Sequence, residues 1–226
     1  EAAGLENFAF QAAVTGGTLK FPKDDYNNWL EKLGSTITAS SNDDFSVISM
    51  RCVKENFGKT WELFEEVLLN PAFDEKEVDL TREQLISGIK MEDTNPDALI
   101  RKAMVKWYFE GHPYANRQIG TVENVRKFTR EDLQKYYKQI LETSRMLLIA
   151  VGRVDKNIFE KKVNVLFKKF PAGSYKEAWT LLGRVRCQMA KEFNMIPERE
   201  FNFSWVIDFP LFEYDEHLDT NISALA

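Results

Sequence analysis

Residues 4–18 read GLENFAFQAAVTGGT. Leu5, Phe8 and Ala12 recur at the three- and four-residue spacing of one helical face, and the Gly16-Gly17 pair supplies the backbone freedom that ends a helix. The segment "TGGT" has the small residues of a phosphate cradle, but no Lys-Ser/Thr follows and the glycines come after a helix instead of opening one. It reads as a helix C-cap.

Outward from this helix, "PKDDYNNWLEKLG" (22–34) opens with Pro22, carries acids in its first turn, spaces Tyr26, Trp29, Leu30 and Leu33 helically, and stops at Gly34. "STITASSNDDFSVISMRCV" (35–53) alternates around a polar turn, with Phe45, Val47, Ile48 and Met50 in its second arm, and predicts a β-hairpin. Three helical segments follow, closed by Pro71, Pro96 and Gly111. After "HPYANRQIG" the pattern predicts a helix near "VENVRKF" and another at "TREDLQKYYKQIL" with Thr129 as N-cap and Glu131 and Asp132 in its first turn. A strand "RMLLIAVG" (145–152) and a helix "DKNIFEKKVNVLFKKFP" ending at Pro171 complete this part. The order predicts an α+β domain with helices packed on one face of a largely antiparallel sheet, not a doubly wound sheet.

Composition sets the outer bounds. The 226 residues are 44% apolar, enough to fill a core, so the chain should fold as a globular protein. The net charge of −5 is spread without basic blocks, which gives no signal for a nucleic-acid partner. No apolar run reaches the roughly 20 residues of a membrane span. Cys52 and Cys187 have no metal-like spacing and do not fix a compartment; both read as core residues. The first residue is Glu, and a leader or an upstream segment removed from this sequence is expected.

The phrases "GL" and "GGT" around the first helix, "LEKLGSTITAS", "NPAFDEKEVDLTREQL", "IKMEDTNPDAL", "HPYANRQIGTVENVRKFTREDLQKYY" and "LLIAVGRVD" keep an order and spacing that resembles the insulinase-like (pitrilysin-type) zinc metalloproteases. That family includes mitochondrial processing peptidase and the core subunits of the respiratory cytochrome complex. The resemblance covers residues 4–171 and implies a half-domain of that fold lacking its first strands.

The family's chemistry needs two His one helical turn apart, a Glu between them as general base on the metal-bound water, and a distant Glu as third ligand. Anchored on "GL", these positions carry Asn7, Phe10 and Gln11; anchored on "GT", they carry Phe8, Gln11 and Ala12. The third ligand falls on Gly88. The resemblance therefore implies vacant zinc positions, with no catalytic residue, metal or cofactor. Two His in the whole chain, His112 in the "HPY" turn and His217, are too far apart to make the local pair, and His112 reads as a hydrogen-bonded turn residue.

Other chemistry finds no better footing. Asp43 with Asp44, and Glu92 with Asp93, are adjacent acids without a Gly-centred calcium loop and read as a solvated turn and helix end. No Ser-centred elbow is present, and Cys52 has no identifiable His partner.

Beyond this part, residues 181–216 resemble bacterial aspartyl-tRNA synthetase where an inserted domain returns to the catalytic core. The specific stretch is "FNFSWVIDFPLFEYDE", with Trp205, Asp208, Phe209, Pro210 and Leu211. The class-defining arginine motifs that hold ATP are absent, so the resemblance implies a fragment without adenylate chemistry. From the residues alone, the tail is a helix "YKEAWTLLGRVRCQMAKEF" and one apolar strand over residues 201–212, whose uncovered edge invites association.

The expectation is a domain over residues 1–175 and a synthetase-like tail over 176–226 that is not an independent domain. By resemblance, the chain is a non-catalytic partner or chamber-wall subunit of an insulinase-like metalloprotease, binding extended polypeptide or a zinc-bearing partner subunit. Three other readings stay open: an active zinc peptidase with unrecognised ligands, a structural core-type subunit, and a fusion with a synthetase fragment that has no function. The resemblances suggest a bacterial origin and leave envelope or cytoplasm undecided.

Overall fold

The computed structural model describes residues 3–153, 155–173, 212–215 and 220–223. It forms two compact units, Glu1–Thr180 and Leu181–Ala226. Unit one runs α1 (Leu5–Thr15), α2 (Lys23–Leu33), β1 (Thr36–Ser41), β2 (Ser46–Arg51), α3 (Phe57–Leu69), α4 (Glu75–Thr94), α5 (Pro96–Tyr108), α6 (Val122–Lys127), α7 (Arg130–Ile140) and α8 (Lys156–Phe167). The α+β architecture expected from the pattern is present.

Capping explains where the helices begin. Asp74 accepts from the Lys76 and Glu77 amides, Thr121 from Asn124, Asp155 from Ile158, and Thr129 with Asp132 closes the reciprocal pair that opens α7. α4 stops before Pro96 as expected, and Pro96 is also the first residue of α5; Asn95 ends α4 and caps α5 by accepting from the Asp97 and Ala98 amides. Proline at the first helical position loses no hydrogen bond there. A helix of wholly exposed or half-exposed residues results, with Ile100, Met104, Trp107 and Tyr108 facing solvent.

The first helix is the axis of the core. Phe8, Ala9, Phe10, Ala12 and Ala13 pack with Val78, Ile86 and Ile89 of α4, Val125 of α6, and Leu133 and Tyr137 of α7. Val14 packs instead with Tyr26, Ile37, residues of α3 including Trp61 and Val67, and Leu166 of α8. The single face expected from Leu5, Phe8 and Ala12 is therefore too narrow: small alanines let neighbours approach on several sides, and Leu5 is only half-buried. Phe8→Ala should destabilise this unit by about 3–5 kcal/mol, because the ring is fully buried and carries the Arg82 guanidinium 5.2 Å from its centre. An unchanged urea midpoint would contradict that packing.

Just before α4, Phe73 has φ 45°, a left-handed conformation that a bulky residue adopts only under constraint. Its ring is buried edge-on to Tyr137, and its carbonyl accepts from Arg130 Nε at 2.5 Å.

The hairpin pairs β1 and β2 antiparallel, with Ala39 opposite Ile48 and Thr38 opposite Ser49. The strand expected over residues 145–152 is not formed: residues 146–151 belong to no ladder. Met146 and Leu148 still pack inward while Leu147, Ile149 and Val151 face out, so the alternation is there, and among the described residues no strand pairs with it. In unit two, β3 (Phe212–Asp215) and β4 (Thr220–Ser223) form an antiparallel pair. The expected tail helix lies outside the described residues, as do Cys187, His217 and all of the expected strand 201–212 except Phe212, which opens β3.

Candidate functional site

The four positions singled out in the sequence fall on α1 and α4. Asn7 is half-buried on the first turns of α1. Phe10 is buried, its ring edge-on to Tyr137 with centroids 5.7 Å apart, and Tyr137 meets Phe73 the same way at 5.6 Å. Gln11 is half-buried and donates from Nε2 to the Ala39 carbonyl of β1 at 3.0 Å. Gly88 is half-exposed in α4, and a Cβ built there would meet nothing within 4 Å. In the alternative register, Phe8 and Ala12 are core residues.

Next to Asn7 lies a polar node the sequence reading passed over. The Glu6 carboxylate accepts from the Ser46 hydroxyl on one oxygen and the Tyr136 hydroxyl on the other, tying α1 to β2 and α7. Burial first, and then this bond to a carboxylate, push the Tyr136 hydroxyl well above the usual tyrosine range. An acid in the first turn of a helix was the available signal, and first-turn acids usually answer the helix dipole. Here both carboxylate oxygens are committed to hydroxyl donors.

Other candidates resolve into structure. His112 accepts from the Tyr114 amide at 3.2 Å, the hydrogen-bonded turn role expected of it. Asp44 accepts from the Tyr114 hydroxyl and Asp43 from Gln118 at 3.1 Å. Glu92 pairs with Arg117, and Asp93 with Lys102 at 2.9 Å, which lowers the Asp93 pKa. Among the described residues no group of three His, Cys, Asp or Glu is placed to hold a metal ion. Cys52 is half-buried, and burial pushes its thiol up. A cavity of about 270 Å³ is lined by Glu75, Asp79, Arg82, Thr129, Arg130 and Glu131. Its two arginines are already engaged: Arg82 donates at 2.7 Å to both the Val125 and Phe128 carbonyls, and Arg130 holds Phe73.

The sequence model of the insulinase family, peptidase family M16, matches residues 2–122, more than half of the chain. The chain belongs to peptidase family M16. The model of the M16 inactive domain matches residues 127–206, and so runs past residue 181, where the sequence predicts a change of pattern. Among curated M16 relatives, cytochrome b-c1 complex subunit 1 of Bos taurus is 24% identical over 151 residues, 67% of this chain and 30% of the relative. The non-peptidase homolog YmxG of Helicobacter pylori is 20% identical over 173 residues, 75% of this chain and 40% of that protein. A probable mitochondrial-processing peptidase subunit beta of Arabidopsis thaliana is 24% identical over 62% of this chain and 26% of its own length. The chain thus spans about a third of the length of these M16 relatives. Of solved structures, the M16 inactive domain from Pseudomonas fluorescens superposes with TM-score 0.69 at 20% identity, over 76% of this chain and 42% of that one. The periplasmic protease PqqL of Escherichia coli gives 0.67 at 19% identity, over 76% and 20%. The fold is the M16 fold.

Proposed function

We propose that this chain is a non-catalytic partner or chamber-wall subunit of an M16 metalloprotease, and that it binds extended polypeptide or a zinc-bearing partner subunit. The observation that carries this reading is the fate of the general-base position. By resemblance Phe10 stands where the base carboxylate would be, and its ring is sealed in an apolar contact with Tyr137. The remaining positions do not fit a zinc ion either: Asn7 and Gln11 offer neutral amides, the Gln11 amide is bonded to Ala39, and Gly88 has no side chain. The existence of a relative named as a non-peptidase homolog supports the same reading.

Support for a polypeptide ligand comes from the hairpin. Among the described residues β1 pairs only with β2, and this supports the addition of a strand at its other edge. The synthetase-like stretch over residues 181–216 belongs to the proposal as a fragment that adds no aminoacylation.

The purified chain should retain far less than one zinc per molecule after dialysis, and should cleave no peptide. Elemental analysis giving about one zinc per chain, together with cleavage that a chelator abolishes, would instead establish the active-peptidase reading. Copurification with a zinc-bearing M16 subunit tests the partner half of the proposal; recovery with a membrane complex alone would favour a core-type structural subunit.

A further inference from the structure

We infer that Gln11 gates the open edge of β1, occupying with its side-chain amide a backbone acceptor that an added strand would use; this rests on the polypeptide-binding reading above. The register supplies the geometry. The Asn42 amide donates to the Phe45 carbonyl at 3.0 Å, which makes that pair a hydrogen-bonded one. Alternation along the ladder then makes Thr38 with Ser49, and Ser40 with Val47, hydrogen-bonded pairs, and Ala39 with Ile48 a non-hydrogen-bonded one. The N–H and C=O groups of Ile37, Ala39 and Ser41 therefore point away from β2, along the outer edge.

On that edge the Ala39 carbonyl sits centrally and is taken by Gln11 Nε2 at 3.0 Å. Among the described residues, the outward groups of Ile37, Ala39 and Ser41 meet no other strand. At the far end, Ser41 Oγ is enclosed and, among the described residues, has no hydrogen-bond partner. Gln11 thus imitates one rung of a strand. An incoming peptide can pair beside Ile37 or beside Ser41, but to run across both it must compete with the Gln11 amide at the Ala39 carbonyl. The edge is shortened from within, by a residue standing at one of the family's metal positions, and unwanted edge pairing is blunted in the same way.

The test is fluorescence anisotropy on the whole chain with a fluorescein-labelled nonapeptide, Lys-Thr-Val-Thr-Val-Thr-Val-Thr-Lys, and a control peptide with alternate backbone amides N-methylated. Gln11→Ala should bind the nonapeptide roughly fivefold more tightly than the wild type, the gain from one freed backbone acceptor. N-methylation should abolish the gain. Gln11→Leu, which removes the donor but keeps the bulk, is read in the same way if Gln11→Ala does not fold. Equal or weaker binding by the variants would overturn the gate while leaving polypeptide binding intact. Failure of wild type and variants alike to bind would overturn both.

Discussion

Phe10→Glu should cost the first unit at least about 4 kcal/mol at pH 7, more than loss of the ring alone, because it also places a carboxylate in an apolar contact without a donor. The phenyl ring is 6% exposed, its neighbour Tyr137 2%, and the Tyr137 hydroxyl is already spent on the Val67 carbonyl at 3.1 Å. Burial raises the pKa of the new carboxyl in the folded state above its unfolded value of about 4.3. The penalty is then complete above the folded-state pKa and fades as pH falls towards the unfolded one. Urea midpoints of variant and wild type should therefore draw closer between pH 7 and pH 4.5, the pH-independent loss of the ring remaining. A variant as stable as wild type at pH 7 would remove Phe10 from the core. The fourfold change Asn7→His, Phe10→Glu, Gln11→His, Gly88→Glu starts from this deficit and also breaks the Gln11–Ala39 bond. Recreating the ligand set is thus not expected to recreate a peptidase.

Gly120→Ala should be nearly as damaging, on the order of 3–5 kcal/mol, because strain and overlap act together. Gly120 has φ 80°, and a Cβ there would lie 2.7 Å from the Ala3 carbonyl oxygen and 2.9 Å from the Gly4 Cα. Gly4 mirrors it: φ is 92°, and its own Cβ would lie 2.8 Å from the Gly120 Cα. Two glycine backbones thus touch where the chain enters α1 and where it approaches α6, and neither can retreat into a flexible side chain. The fall in thermal midpoint should be severe for either alanine variant. The double variant should cost less than the sum of the two, since backbones forced apart by the first Cβ leave room for the second. Strict additivity would mean that the backbones do not meet.

Much of this architecture was legible because local chemistry and tertiary role agree. Thr129 caps α7 as its position before an acid-rich turn suggests, and the Asp43-Asp44 turn joins two alternating arms as the polar cluster predicts. The segment after residue 145 failed for a different reason. Its apolar run suits a strand, but a strand exists only if another backbone pairs with it, which no window of sequence reports. Pro96 closes α4 as its place in the pattern predicts, and the same residue opens α5 because its fixed φ suits the first helical position. At the proposed site, the sequence could show that Asn7, Phe10, Gln11 and Gly88 carry neither imidazole nor carboxylate. It could not show where Phe10 and Gln11 are now spent, since Tyr137 and Ala39 lie far away along the chain. The Glu6 node was hidden for the same reason: its donors, Ser46 and Tyr136, come from two other elements.

The central place of α1 also dictates a waiting time during synthesis. Its partners Leu133 and Tyr137 leave the ribosome more than a hundred residues after Phe8 and Phe10. At about 5–20 residues per second, that leaves an apolar helix without its final cover for several seconds to tens of seconds. Neighbours made earlier, on α2, β1 and α3 at the Val14 end and on α4 along Phe8 to Ala13, give only part of that cover. A nascent chain stalled before α7 should therefore be a strong client for chaperones that grip exposed phenylalanine, and a released chain should not.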